Sequence, residues 1–210
     1  MSKKGEIKLK KVLAGLPNYS KYCSKAKAYL QDNGIEVVEN ETGAPLSKEP
    51  LTQMSKDVDA AIAGVEVYDA EIMDAAPKLK VISRFGVGVD NFDLEEAKKR
   101  GIICTNCPGI NSTSVAEHTV MLMLNLLREC PQLNQETKEG NWRRLMVTEL
   151  SGKKVGLLGF GAVARKTAKI LKGFSCRILA YDKFPNEEIA REIGVEMMGL
   201  EEVVKQSDII

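Results

Sequence analysis

The stretch Val155-Gly156-Leu157-Leu158-Gly159-Phe160-Gly161-Ala162-Val163-Ala164 constrains this chain more than any other. An apolar run passes through G-x-G-x-x-A into a segment with helical patterning, which makes a strand, a tight turn and a helix. The small residues each have a physical role, in that Gly159 allows the turn, Gly161 lets a ligand approach the backbone, and Ala164 keeps the helix against the sheet. A helix starting near Ala162 directs unpaired N–H groups and the positive end of its dipole over the turn. A diphosphate is the expected occupant, held by the backbone of Ala162 and Val163. The next strand, Arg177 to Tyr181, runs into Asp182, 23 residues past Gly159. That is close to the roughly 20-residue spacing at which an acid accepts hydrogen bonds from a ribose diol. Such a carboxylate repels a 2′-phosphate, so NAD is expected over NADP, with Lys183 beside it able to soften the repulsion. Glycines in a strand-to-helix turn alone would equally suit ordinary packing. Strand, turn, helix, second strand and terminal acid in that order favour Gly159, Gly161, Ala162, Val163 and Asp182 as cofactor-binding residues.

The rest of the chain repeats this grammar of short apolar runs alternating with amphipathic stretches, which builds parallel sheets flanked by helices. A first series has strands expected at Val12–Leu16, Ile35–Val38, Ala60–Ala63, Val81–Ser83 and Ile102–Cys104. Helices are expected between them, among them Lys21–Gln31 and Leu94–Arg100, the latter stopped by Gly101. The second series begins at Gly152, with a strand at Lys154–Leu158 and helices at Ala162–Lys172 and Glu187–Ile193. A strand at Val195–Met197, a helix at Leu200–Lys205 and a new apolar run at Ile209 follow. Between the series the pattern predicts a long connector helix starting at Ser114, with Glu117 completing a reciprocal cap and Val115, Leu122, Met123, Leu126 and Leu127 turned inward. The expected fold is α/β in two domains: a flavodoxin-like domain over residues 1–108, then the connector and an incomplete Rossmann domain, a doubly wound parallel sheet, over 109–210.

Charge excludes several classes of partner. Thirty basic residues against 29 acidic ones leave a net charge of +1, which offers no footprint for nucleic acid or an anionic membrane. The basic opening Met1–Lys11 leads into an apolar stretch closed by Pro17, too short for a secretion signal. The greasiest run, Val120–Leu127, falls far below the roughly 20 residues of a spanning helix. Five scattered cysteines argue against a disulfide framework and for a reducing, cytoplasmic setting. The partner expected is a small molecule.

Two further segments narrow its chemistry: Ser83-Arg84-Phe85-Gly86-Val87-Gly88-Val89-Asp90-Asn91, and Asn106-Cys107-Pro108-Gly109-Ile110-Asn111-Ser112-Thr113-Ser114-Val115-Ala116-Glu117. Glycines allow successive N–H groups to converge on one anion, although on its residues alone the first segment is equally a plain turn after a buried strand. With these segments, the Gly140-Asn141-Trp142 stretch and the G-x-G-x-x-A in this order, the whole chain resembles the D-isomer-specific 2-hydroxyacid dehydrogenases, most nearly those acting on phosphoglycerate. The resemblance implies that Gly86, Val87 and Gly88 hold the carboxylate of a small 2-hydroxy or 2-keto acid through their amides. Arg84 is a further candidate for the substrate site, against a reading as a structural or solvated cation. The segment from Asn106 to Glu117 would be the interdomain hinge, and a homodimer through the cofactor domain is also implied.

In that family a histidine, a glutamate and an arginine carry the chemistry, and all three come later than the strand that opens here near Asp208–Ile210. No catalytic residue is therefore assigned, and this chain alone is expected to be inactive. The apolar run Val155–Leu158 is expected to border an unfinished sheet, an association hazard. His118, the single histidine, is read as a packing or surface residue, since its neighbour Glu117 points elsewhere on a helix and cannot pair with it. Cys104-Thr105-Asn106-Cys107 has the C-x-x-C spacing of redox or metal sites. No second cysteine pair accompanies it, so strand-end packing is expected and no metal. The competing reading of a different class is an NAD(H)-sensing protein that binds without turnover.

Overall fold

The computed structural model describes residues 10–210, so most of the basic opening lies outside the described residues. Contacts divide the chain into one compact unit ending at Pro108 and another running from Gly109 to Ile210.

In the first unit β1 (Lys10–Pro17), β2 (Ile35–Asn40), β3 (Ala60–Ala63), β4 (Val81–Arg84) and β5 (Ile103–Thr105) form one sheet in the order β2-β1-β3-β4-β5. Every neighbouring pair is parallel, with Val12 opposite both Val37 and Ala60, and Val81 opposite both Ala60 and Ile103. Parallel strands need crossovers, which α1 (Tyr19–Tyr22), α2 (Ser24–Asp32), α3 (Lys48–Ser55), α4 (Ala70–Asp74) and α5 (Leu94–Lys99) supply. Leu13, Leu51, Ile72 and Ile82 are fully buried between these layers. The strand order reverses between β1 and β3, where open α/β sheets leave a crevice beyond the carboxyl ends of the strands. Tyr68 and Phe92, both buried in the core, meet edge to face, 5.7 Å between ring centroids, and tie the segment after β3 to the segment after β4.

The second unit opens with α6 (Ser112–Leu127) and α7 (Cys130–Lys138). Then come β6 (Lys154–Leu158), α8 (Ala162–Lys172), β7 (Arg177–Tyr181), α9 (Glu187–Ile193), β8 (Glu196–Met197) and α10 (Leu200–Gln206). The sheet runs β6-β7-β8, all parallel. Beside β6 the chain returns at Ile209, whose carbonyl accepts the Gly156 amide at 2.8 Å. Phe160, Leu171, Ile178 and Val155 fill the core. The α/β class with parallel sheets is thus as expected, and β6, α8, β7 and α9 have the expected bounds.

Elsewhere boundaries move. The helix expected over Lys21–Gln31 is two helices broken at Cys23, and α3, α4 and α7 had no sequence assignment. The connector α6 differs most. It starts at Ser112 behind Asn111, with no side-chain cap, and Ser114 and Glu117 are exposed within it. Backbone bonds do the capping instead: the Ser112 amide donates to the Gly109 carbonyl and that of Val115 to the Asn111 carbonyl. The inward face is Ser112, Ala116 and Val120, with Met123, Leu124 and Leu127 partly buried against the core. Val115, Leu122 and Leu126 point outward. This helix is apolar on two faces, so periodicity could not say which one α8 covers.

Candidate functional site

The glycine turn in the second unit is built from three hydrogen bonds. The Gly159 amide donates to the Tyr181 carbonyl at 2.7 Å, and the Phe160 amide donates to Asp182 Oδ2 at 2.6 Å. The other carboxylate oxygen, Oδ1, accepts the Phe184 amide at 2.8 Å. Gly159 has φ +104°, a conformation that side chains oppose, and this lets the chain turn from strand into helix within three residues. The Phe160 ring is buried in the core, which anchors the turn from below. Gly161 then opens α8 as its N-terminal flanking residue. The amides of Gly161, Ala162 and Val163 donate to no acceptor among the described residues. Four orphan N–H groups at a helix start are satisfied by water or a ligand, and a side chain at Gly161 would meet no atom within 4 Å. The space above these donors is therefore open to an anion.

Asp182 lies beside this turn, as the placement at the end of β7 requires. The two amide bonds, from Phe160 and then Phe184, together with the positive charge of Arg165, hold its carboxyl below the usual range. It is ionised at neutral pH, with lone pairs left over for a diol. Lys183 is turned away over the Phe184 ring, 5.7 Å from its centroid.

The loop after β4 in the first unit has a complementary asymmetry. All three carbonyls of Gly86, Val87 and Gly88 accept hydrogen bonds. The donors are the Cys107 amide at 2.8 Å, the Asn106 carboxamide at 2.7 Å and Arg84 Nε at 2.8 Å. Their amides donate to nothing among the described residues. Pinning each carbonyl fixes its peptide plane, and fixed planes keep the opposite N–H groups available for an anion. Arg84 also reaches the Ala63 and Phe85 carbonyls at 3.4 Å each, so its guanidinium braces the loop. Asn106 was not singled out from sequence; a carboxamide in a loop carries no signal until its partner is known. Asn91 adds a brace from below, donating to the Glu66 carbonyl at 2.5 Å.

The decoys separate. His118 and Glu117 are both exposed on α6. Cys104 packs against the core of its unit, and burial pushes its thiol up. Cys107 is exposed, with its thiol 3.7 Å from the Arg84 carbonyl.

A family model described as the D-isomer specific 2-hydroxyacid dehydrogenase catalytic domain matches residues 18–205. The chain belongs to this family. A D-3-phosphoglycerate dehydrogenase of Archaeoglobus fulgidus is 41% identical over 185 residues, covering 87% of this chain and 34% of that protein. A glyoxylate reductase of Pyrococcus furiosus is 36% identical, covering 84% of this chain and 55% of the relative. Among solved structures, a formate dehydrogenase of Staphylococcus aureus in complex with NAD superposes with TM-score 0.80 at 27% identity, over 94% of this chain and 63% of that one. The apo D-lactate dehydrogenase of Escherichia coli gives 0.79 at 26%, over 95% and 63%. The chain spans about a third of the length of the phosphoglycerate dehydrogenases it matches.

Proposed function

We propose that the second unit binds NAD and that the first holds the carboxylate of a small D-2-hydroxy or 2-keto acid, as parts of an NAD-dependent oxidoreductase. The Asp182 carboxylate, hydrogen-bonded into the glycine turn, carries this reading. It sets an ionised acceptor for the ribose hydroxyls beside the open amides of Gly161, Ala162 and Val163, the donors for the diphosphate. Bound NAD supplies or accepts hydride. This chain contributes its orientation, through Gly159, Gly161 and Asp182, and the anchoring of substrate, through Gly86, Val87 and Gly88. Arg84 acts by bracing that loop.

D-3-phosphoglycerate is the favoured substrate, because relatives of that name recur among the most similar proteins. A backbone nest by itself accepts any 2-hydroxy carboxylate. Outward-facing Val115, Leu122 and Leu126, at 39%, 53% and 77% exposure, support a homodimer formed through the second unit. Five free cysteines suit a reducing cytoplasm.

Fluorescence titration with NADH tests the cofactor assignment. Saturable binding that Asp182→Ala weakens at least tenfold, with NADPH binding more weakly than NADH, is the expected result. Equal affinity for the two nucleotides removes the role given to Asp182, and absence of any binding removes the function.

A further inference from the structure

The backbone amides of the turn leave one charge unexplained. Arg165 stands in the first turn of α8 and folds back toward the glycine turn: its Nε donates to the Phe160 carbonyl at 2.8 Å, and its guanidinium carbon lies 5.2 Å from the Phe160 ring centroid. Phe160 is the same residue whose amide is held by Asp182. One residue thus carries a carboxylate on its amide and a guanidinium on its carbonyl and ring. The two are near enough for the cation to draw the Asp182 carboxyl down, yet no ion pair joins them among the bonds of the described residues. Asp182 spends its hydrogen bonds on two amides, and the terminal nitrogens of Arg165 donate to no acceptor among the described residues.

A guanidinium fixed at Nε and against a ring, with its outer donors unspent, is preorganised to meet a planar or tetrahedral anion. A dinucleotide brings the negative charge of its diphosphate next to an already ionised Asp182, and that repulsion needs an offset which neutral amides supply only in part. We propose that Arg165 is a cofactor-contacting residue that offsets Asp182 and takes up charge on the diphosphate. It belongs to the ligand site and is more than a strut for the turn. This rests on the reading that the turn binds NAD.

Adenosine and ADP separate the roles, because they share the ribose seen by Asp182 and differ in phosphate. Calorimetric titration of the 210-residue chain with each, alongside NADH fluorescence, is the measurement. Arg165→Gln should weaken ADP and NADH about tenfold, the loss typical of one charge-assisted hydrogen bond, while adenosine stays within about twofold. Arg165→Lys keeps the charge without the planar fork and should lose only part of the ADP affinity. A purely structural Arg165 would lower adenosine and ADP together, since the turn itself would shift. If either folded variant, checked by its thermal midpoint, has the same ADP-to-adenosine affinity ratio as the unaltered chain, the assignment of Arg165 is overturned while the NAD reading stands. An unaltered chain that binds no NADH overturns both.

Discussion

The Phe160 amide donates to Asp182 across the gap between two neighbouring strands, at 2.6 Å. The acid that follows β7 and the turn that follows β6 are therefore one hydrogen-bonded piece. A ligand that needs both a diol acceptor and a helix start finds them already in place, so binding spends little on ordering them.

That arrangement sets a pH dependence. Its two amide bonds depress the Asp182 carboxyl below the ordinary carboxylate value of about 3.9. A depressed folded-state value means that the stabilising contribution is present above the unfolded-state pKa. It is lost as pH falls through the lower, folded value. Asp182→Asn should thus flatten the decline of thermal midpoint below about pH 4 and leave its slope between pH 6 and 8 unchanged. A carboxyl titration followed by NMR should find the Asp182 midpoint below the ordinary aspartate value of about 3.9; a midpoint above that value contradicts the geometry.

The substrate loop can be tested through its carbonyls. Asn106 holds the Val87 carbonyl at 2.7 Å from an exposed position, so Asn106→Ala frees one peptide plane with little effect on the core. Affinity for a small 2-keto acid such as pyruvate, read from the amide shifts of Gly86, Val87 and Gly88, should fall about threefold to tenfold, the worth of one orienting hydrogen bond. The thermal midpoint should barely move. An unchanged affinity would show that the loop needs no help from Asn106.

Packing beneath the cofactor turn makes a third case. A methyl at Gly156 would lie 2.8 Å from Val203 Cγ1 and closer still to Ser207 Oγ, because α10 lies directly on β6. Gly156→Ala forces that helix outward, and overpacking of this kind costs about 1–3 kcal/mol. The expected signature in thermal unfolding is a lower midpoint for the second unit. Gly161→Ala, with no atom within 4 Å of the new methyl, should leave stability nearly unchanged and impair NADH binding.

Legibility in the sequence followed how local the determining physics was. The elements β6, α8 and β7 were readable to the residue because glycine punctuation, alternation and length agree there. Asp182 was readable because the motif fixes its spacing. The face of α6 was not, since two apolar stripes on one helix differ only in which neighbour covers them. The bracing bonds of Arg84 were not readable, because its partners Ala63 and Gly88 are tertiary and adjacent-loop carbonyls, and a charged side chain advertises its charge before its hydrogen bonds. Arg165 went unassigned for the same reason, and Asn106 because a loop carboxamide gives no signal until its partner is known.

The outward stripe of α6 gives the last prediction. Val115, Leu122 and Leu126 fall at intervals of seven and four, which aligns them along one side of the helix. Leu126 is 77% exposed, and Trp142, beyond α7, is 94% exposed. Monomers seldom leave such side chains in water without a partner. Leu122→Ser with Leu126→Ser removes apolar area from this face alone, since the core contacts of α6 run through Ala116, Val120 and Leu127. Analytical ultracentrifugation should show the unaltered chain as a dimer at micromolar concentration and the double variant as a monomer that still binds NADH. A monomer in both would remove the homodimer from the proposed function. A dimer in both would move its interface to another face.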